Sequence, residues 1–295
     1  MTIQTLLIPT DGSDRATAAA RRGFDLAAQL EATVRVLSVA DSSIATGAGY
    51  SGDSASIRER LRETAAERAE SLRADAEERG LEATAAVREG IPASEIADDA
   101  DEHADAVVMG TAGRGVVVRA VVGSVADKVV RTAPVPVVTV TPDAASVDER
   151  ERTVDDLLLP TDGSDTAEAV VRQGLDLAAQ FGATVHLLTV VDDDHLETRS
   201  LLGEDDDPDE LVARAGERHT ELVSAGRDRG LEVVTATTNG DPAEEIVDYA
   251  DREGVGLIAM GTAGRGGFER FVVGSVTDAV VRTAPVPVLT DRPTE

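Results

Sequence analysis

Two tandem α/β domains of doubly wound, Rossmann-like type are predicted by this sequence, and three observations predict them. Gly110-Thr-Ala-Gly113, nine residues and then Gly123-Ser124 return as Gly261-Thr-Ala-Gly264, nine residues and Gly274-Ser275. The matched blocks are long: Pro9 to Asp14 returns as Pro160 to Asp165, and Val129 to Val137 as Val280 to Val288. Short, continuously apolar runs alternate with helical patterns, the signature of parallel strands covered on both faces. Asp162 and Gly261 each lie 151 residues after Asp11 and Gly110, whereas Gly240 lies 150 after Gly90. The copies therefore differ only by compensating single-residue loop changes. Residues 1–141 and 154–295 form the two domains, each of ordinary size for one core, and the polar, proline-bearing segment 142–153 joins them.

The elements of the first repeat follow in order. Thr5 to Pro9 is a short apolar run closed by Asp-Gly-Ser-Asp, so it reads as a buried strand ending in a turn. Ser13 or Asp14 caps a helix to about Gln29, with Phe24, Leu26, Ala27 and Leu30 on its apolar stripe. Thr33 to Val39 is the second strand. A Gly/Ser/Asp loop, Asp41 to Ser56, leads to a charged amphipathic helix that stops before Gly80, the usual place for a C-terminal glycine. Glu82 to Val87 is the third strand. Pro92 then opens a helix from Ala93 to His103, and Ala106 to Met109 is the fourth strand. After the glycine segment come a helix, Ser124 to Thr132, and a fifth strand, Val135 to Val140.

Composition narrows the class of function. The formal charge is −28 on 295 residues. Lys128 is the single lysine among arginine cations, and aromatic residues are few. That profile suits a cytoplasmic protein of a salt-loving organism, because in molar salt the Debye length shrinks to about 3 Å and screens an acidic surface from itself. Nucleic acid and anionic membranes are repelled by such a chain. There is no cysteine, which removes disulfides, thiolate metal sites and thiol catalysis. The start, MTIQTLLIPTDGS, lacks the basic region of a signal peptide. No run approaches the roughly 20 apolar residues of a membrane span.

The repeated glycine segment is where the chemistry lies. In doubly wound sheets the ligand crevice sits beyond the carboxyl ends of the strands, where the winding direction reverses. The Asp11 turn and the Gly110 turn both stand at such ends. Gly110 and Gly113 let backbone approach a phosphate and permit positive φ. Gly123 and Ser124 open the next helix, so free N–H groups and the positive dipole end face an anion. The Ser124 hydroxyl can add a donor or reach a phosphate-bound metal. The Asp11 carboxylate suits a ribose hydroxyl, an adenine amine or a Mg²⁺ bridge. No Gly-Lys-Ser/Thr is present, so this is not a Walker phosphate loop. His103, His186, His195 and His219 occupy no equivalent positions in the two repeats, which argues against a shared catalytic base. Asp205-Asp206-Asp207 reads as a solvated acidic loop.

On these residues the chain resembles a tandem universal stress protein, two UspA-type domains of the ATP-binding kind. The likeness rests on Pro9-Thr-Asp-Gly-Ser, on Gly-x2-Gly-x9-Gly-Ser and on Ala133-Pro-Val-Pro-Val137, each present twice. The resemblance implies a five-stranded parallel sheet per domain with strand order 3-2-1-4-5. It implies adenine-nucleotide contacts, to ATP or to ADP or AMP, from Pro9, Thr10, Asp11, Val39, Met109, Gly110, Gly113, Gly123, Ser124 and Val125. The second set is Pro160, Thr161, Asp162, Val190, Met260, Gly261, Gly264, Gly274, Ser275 and Val276. Mg²⁺ is compatible with either set. Many members carry a polar or basic residue where this chain has Ala112 and Ala263, which leaves Arg114 and Arg265 as the nearby cations. Members pair their fifth strands across a two-fold axis, which implies a pseudo-dimer of the two domains or a homodimer. The implied role is a nucleotide-binding stress regulator. The competing readings are a slow Mg²⁺-dependent ATPase, resting on Asp11 and Asp162, and a scaffold with no nucleotide.

Overall fold

The structure is a computed structural model that describes residues 1–41, 54–111, 122–146, 153–191, 220–262 and 273–292. The chain divides into two compact units, Ile3–Arg152 and Thr153–Glu295, the latter joined by Met1–Thr2.

In the first unit β1 (Thr5–Pro9) is followed by α1 (Asp14–Leu30), β2 (Thr33–Asp41), α2 (Ser54–Glu78), β3 (Ala83–Gly90), α3 (Pro92–His103), β4 (Ala106–Gly110), α4 (Ser124–Thr132) and β5 (Val137–Val140). A single helical turn, α5 (Pro142–Ala145), follows and is capped by the Thr141 side chain. It packs on α1, so the segment after β5 begins as part of this unit. All ladders are parallel, in the order β3-β2-β1-β4-β5. Thr5 pairs with Thr33, Leu6 with Ala106 and Val107 with Val137.

The second unit repeats this plan. Its elements are β6 (Asp156–Pro160), α6 (Asp165–Phe181), β7 (Thr184–Val191), β8 (Val233–Asn239), α7 (Pro242–Glu253), β9 (Leu257–Gly261), α8 (Ser275–Thr283) and β10 (Val288–Asp291). Residues 220–227 are also helical. The order is β8-β7-β6-β9-β10, again parallel. Among the described residues no helix is long and apolar enough to cross a membrane.

The cores sit between sheet and helices. Leu6, Leu7 and Ile8 of β1 are buried, as are Val36, Leu37, Val107 and Val108 beside them. Leu157, Leu158 and Leu159 play the same part in β6. Gly23 and Gly174 bring α1 and α6 close to those strands, because an added Cβ would lie 2.8 Å from Ile8 Cδ1 and 2.4 Å from Leu159 Cδ2. The fifth strands begin later than the apolar pattern predicts, at Val137 and Val288 rather than Val135 and Val286. Pro136 and Pro287 have no N–H to give a ladder, so each serves only as an acceptor, from Val107 N at 2.9 Å and from Ile258 N at 3.0 Å.

One helix end differs between the copies. α6 closes on Gly182 at φ 69°, while α1 closes on Glu31 at φ 54°. The left-handed conformation costs a non-glycine residue roughly 1 kcal/mol. Glu31→Gly is therefore expected to raise the melting temperature slightly, and a thermal unfolding curve of that exposed-site variant checks it.

Candidate functional site

At the carboxyl edge of the first sheet β1 turns toward β2 and β4 turns toward β5, so the winding direction reverses between β1 and β4. In such sheets this is where ligands bind. The turn after β1 is held by its own side chains. Gly12 N–H donates to Thr10 Oγ1 at 3.1 Å and Ser13 N–H to Asp11 Oδ1 at 2.9 Å. Gly12 takes φ +74° and Gly163 φ +71°, the one place in each turn where a side chain would strain the backbone. Ser13, rather than Asp14, caps α1, its Oγ accepting from Ala16 N at 3.2 Å. Ser164 does the same for α6 through Ala167 N, and its hydroxyl donates to Asp162 Oδ1 at 2.7 Å. Asp11 and Asp162 stay half-buried at the cleft edge, while Thr10 and Thr161 are buried.

The second wall is the end of β4 with the start of α4. Thr111 N–H donates to Val140 O at 3.0 Å, and Gly123 N–H donates to Thr111 O at 2.6 Å. The second unit repeats both contacts, Thr262 to Asp291 at 3.0 Å and Gly274 to Thr262 at 2.7 Å. Each glycine segment is thereby pinned where it leaves the strand and where it enters the helix. Gly123 and Gly274 are the N-caps of α4 and α8, at φ −66° and −62°, with no side-chain cap on either helix. These φ values suit any residue, and Gly110 is an ordinary last strand residue paired with Val140. Gly110 does not use the positive φ that glycine permits, so its backbone conformation alone does not require glycine.

The contrast between helices is informative. α1, α6 and α7 carry side-chain caps from Ser13, Ser164 and Asp241, and α3, which has none, opens on Ile91 and Pro92. α4 and α8 open on glycine and present their first N–H groups, those of Ser124, Val125, Ser275 and Val276, without a side-chain cap. An uncapped helix start with a glycine N-cap is a ready anion site. Asp127 and Asp278 lie in these first turns, where a carboxylate would repel an incoming anion. Each is instead drawn back by the arginine four residues on: Arg131 Nη2 to Asp127 Oδ1 is 2.9 Å, and Arg282 Nε to Asp278 Oδ2 is 2.8 Å.

Val39 completes the outline. β2 runs on to Asp41, two residues past the expected end. Thr10 N–H donates to Leu37 O at 2.8 Å, the last bond from the β1 side. Residues two apart on a strand direct their backbone groups to the same side, so those of Val39 face the space beyond the end of β1. Thr161 N–H to Leu188 O, 2.8 Å, gives Val190 the same outlook. Met109 and Met260 are buried one residue before the strand ends. Gly113, Arg114, Gly264, Arg265, His195, His219 and Asp205 to Asp207 lie outside the described residues.

Two kinds of residue escaped the sequence reading. Thr111 and Thr262, buried and hydrogen-bonded on both sides, were legible only as part of the repeated Gly-Thr-Ala-Gly. Thr277, whose Oγ1 donates to Gly261 O at 2.7 Å, ties α8 to β9. The first repeat has Ala126 there, so no repeat signal marks it.

A model of the Universal stress protein family matches residues 2–141 and again residues 153–292. The chain belongs to the universal stress protein family. It is a tandem member, one family domain per unit. The universal stress protein MJ0531 of Methanocaldococcus jannaschii is 37% identical over 134 residues, 45% of this chain and 79% of that protein. The universal stress protein Rv2005c of Mycobacterium tuberculosis is 30% identical over 197 residues, 64% of this chain and 62% of its own length. Among solved structures, a universal stress protein from Archaeoglobus fulgidus shares the fold with a TM-score of 0.73 and 23% identity, over 99% of this chain and 97% of that one.

Proposed function

We propose that each unit of this universal stress protein binds an adenine nucleotide, ATP or a close relative, and that occupancy regulates what the protein binds during stress. The observation that carries the reading is the repeated, side-chain-free helix start at Gly123 and Gly274 beside an Asp-bearing turn. In this proposal the phosphates lie against the N–H groups of Ser124 and Val125, or of Ser275 and Val276, with Gly110 and Gly113, or Gly261 and Gly264, as further contacts. Asp11 or Asp162 meets the ribose, and the backbone of Val39 or Val190 meets the adenine. Pro9, Thr10 and Met109, with Pro160, Thr161 and Met260, form the floor. Arg114 and Arg265 are the proposed neighbouring cations, and Mg²⁺ accompanies a bound polyphosphate. The proposal includes edge-to-edge pairing of the fifth strands, within one chain or with a second copy, since an open apolar edge strand invites aggregation.

The test is calorimetric titration of nucleotide-stripped protein with ATP and Mg²⁺, in the molar KCl that the acidic composition calls for. Saturation near two per chain is the expected result. The absence of heat at several temperatures, with no thermal shift, would leave the glycines a matter of fold alone.

A further inference from the structure

The stripe that seats α2 on the first sheet is Ala65, Ala69, Leu72 and Ala76, all buried. Arg68 borders this stripe and is half-buried. Its side chain crosses to the turn after β1: a Cβ built on Gly12 would lie 2.9 Å from both Arg68 Cγ and Cδ and 3.0 Å from Nε. The aliphatic stem therefore rests directly on the Gly12 backbone, and the Nε distance puts the guanidinium beside the turn. Gly12 has a second task here. Its φ of +74° already requires glycine, and its bare Cα is also the bed for an arginine from a different element. The residues on either side of that bed are Asp11 and Ser13, the edge of the candidate cleft.

Charge gives this placement a consequence. The chain carries −28 and a single lysine, and Asp11 adds a carboxylate at the cleft itself. A polyphosphate approaching such a site needs a cation to offset that field, and in the glycine segment position 112 is alanine. We propose that Arg68 is a specificity-determining residue of the first unit, a guanidinium carried over Gly12 to read the phosphate charge of the bound nucleotide. The inference rests on the nucleotide-binding reading above. The sequence places Arg218 150 residues after Arg68, the same interval that relates Leu72 to Leu222 and Gly80 to Gly230.

The experiment isolates the first cleft in a Gly274→Asp background and titrates ATP, ADP, AMP and adenosine with Mg²⁺ into that protein and into its Arg68→Gln variant. A charge-assisted contact contributes about 1.5–3 kcal/mol, so ATP affinity should fall about 10- to 100-fold on neutralisation. Adenosine affinity should change less than about two-fold, with ADP and AMP graded between. Arg68→Lys, which keeps charge and stem, should retain most of the ATP-over-adenosine preference, and it serves as the readout if the glutamine variant does not fold. Equal loss for all four ligands would reduce Arg68 to packing on Gly12 and overturn the proposal, as would an unchanged ATP affinity, while leaving nucleotide binding intact. No ATP binding by the unsubstituted chain would remove the nucleotide reading and this inference together.

Discussion

Gly123→Asp with Gly274→Asp should abolish nucleotide binding while leaving the protein as stable as before, or slightly more so. Asp is among the preferred N-cap residues, and the φ and ψ of both caps, −66° and 148° and −62° and 151°, are those such a residue adopts. Its carboxylate would accept from the N–H groups at the start of α4 and α8, stabilising each helix by a few tenths of a kcal/mol relative to glycine. The same carboxylate would stand where a phosphate is proposed to lie. Two like charges about 4 Å apart at a protein surface repel by on the order of 4 kcal/mol, roughly a thousand-fold in affinity. The measurements are a melting curve and an ATP titration on the double variant. Stability retained with binding lost separates the helix N-terminus as a ligand site from the helix as a structural part. Unchanged ATP affinity would show that the nucleotide lies elsewhere.

Asp99→Ala should cost more stability than any change on the exposed acidic surface. Asp99 is fully buried at 0% exposure. Arg35 grips it with two bonds, 2.7 and 2.9 Å, and Arg88 adds a third at 3.0 Å. Removing the carboxylate leaves two guanidinium groups without their shared counter-charge, and breaking a buried pair in this way costs about 3–5 kcal/mol. Because both arginines keep about a fifth of their side-chain surface in water (21% and 23%), the lower end applies. A loss near 3 kcal/mol corresponds to a melting temperature lower by about 6–12 °C for a domain of this size.

The same group makes a pH prediction. Burial pushes the Asp99 carboxyl upward, but its bond to Arg35 and the charges of Arg35, Arg88 and His103 outweigh burial and hold it below the usual carboxylate range. A carboxyl lowered in the folded state contributes stability that is fully present above its unfolded value, near pH 4. That contribution disappears as pH falls through the lower folded value. The gap between wild type and Asp99→Ala should therefore be constant at neutral pH and close below about pH 4. A gap that persisted unchanged into strong acid would mean the arginines do not hold the charge.

Asp99 also shows why part of the fold was not legible. The sequence has 56 acidic residues, and nothing local distinguishes Asp99, which is fully buried, from the exposed ones. Its equivalents in the second repeat are different residues altogether. There His186 Nδ1 meets the Tyr249 hydroxyl at 3.0 Å and His186 Nε2 meets Asp156 Oδ1 at 3.0 Å. The same part of the core thus holds an ion cluster in one unit and a hydrogen-bonded Tyr249–His186–Asp156 chain in the other. Comparing the repeats as text would mark these positions as unrelated and hence as surface. A similar exchange occurs before β4 and β9. Asp105 accepts from Gln4 N and Thr5 N at 2.8 and 2.9 Å in the first unit. The corresponding Gly256 sits so close to Thr153 that an added Cβ would be 2.4 Å from its carbonyl oxygen.

What the amino-acid sequence determined by itself was local or repeated: the two-domain plan, the alternation of strands and helices, the Asp-Gly-Ser turns and the glycine-opened helices. Such features follow from hydrophobic period and from residues whose backbone chemistry is their own, so they can be read without neighbours. Contacts between residues far apart in sequence were decided by tertiary structure alone. Arg68 reaches Gly12 from another helix, Arg35 and Arg88 converge on Asp99 from two strands, and the backbone of Val39 is left facing a space that exists because β1 stops short. Each depends on which elements the parallel sheet places side by side, and no spacing along the chain encodes that.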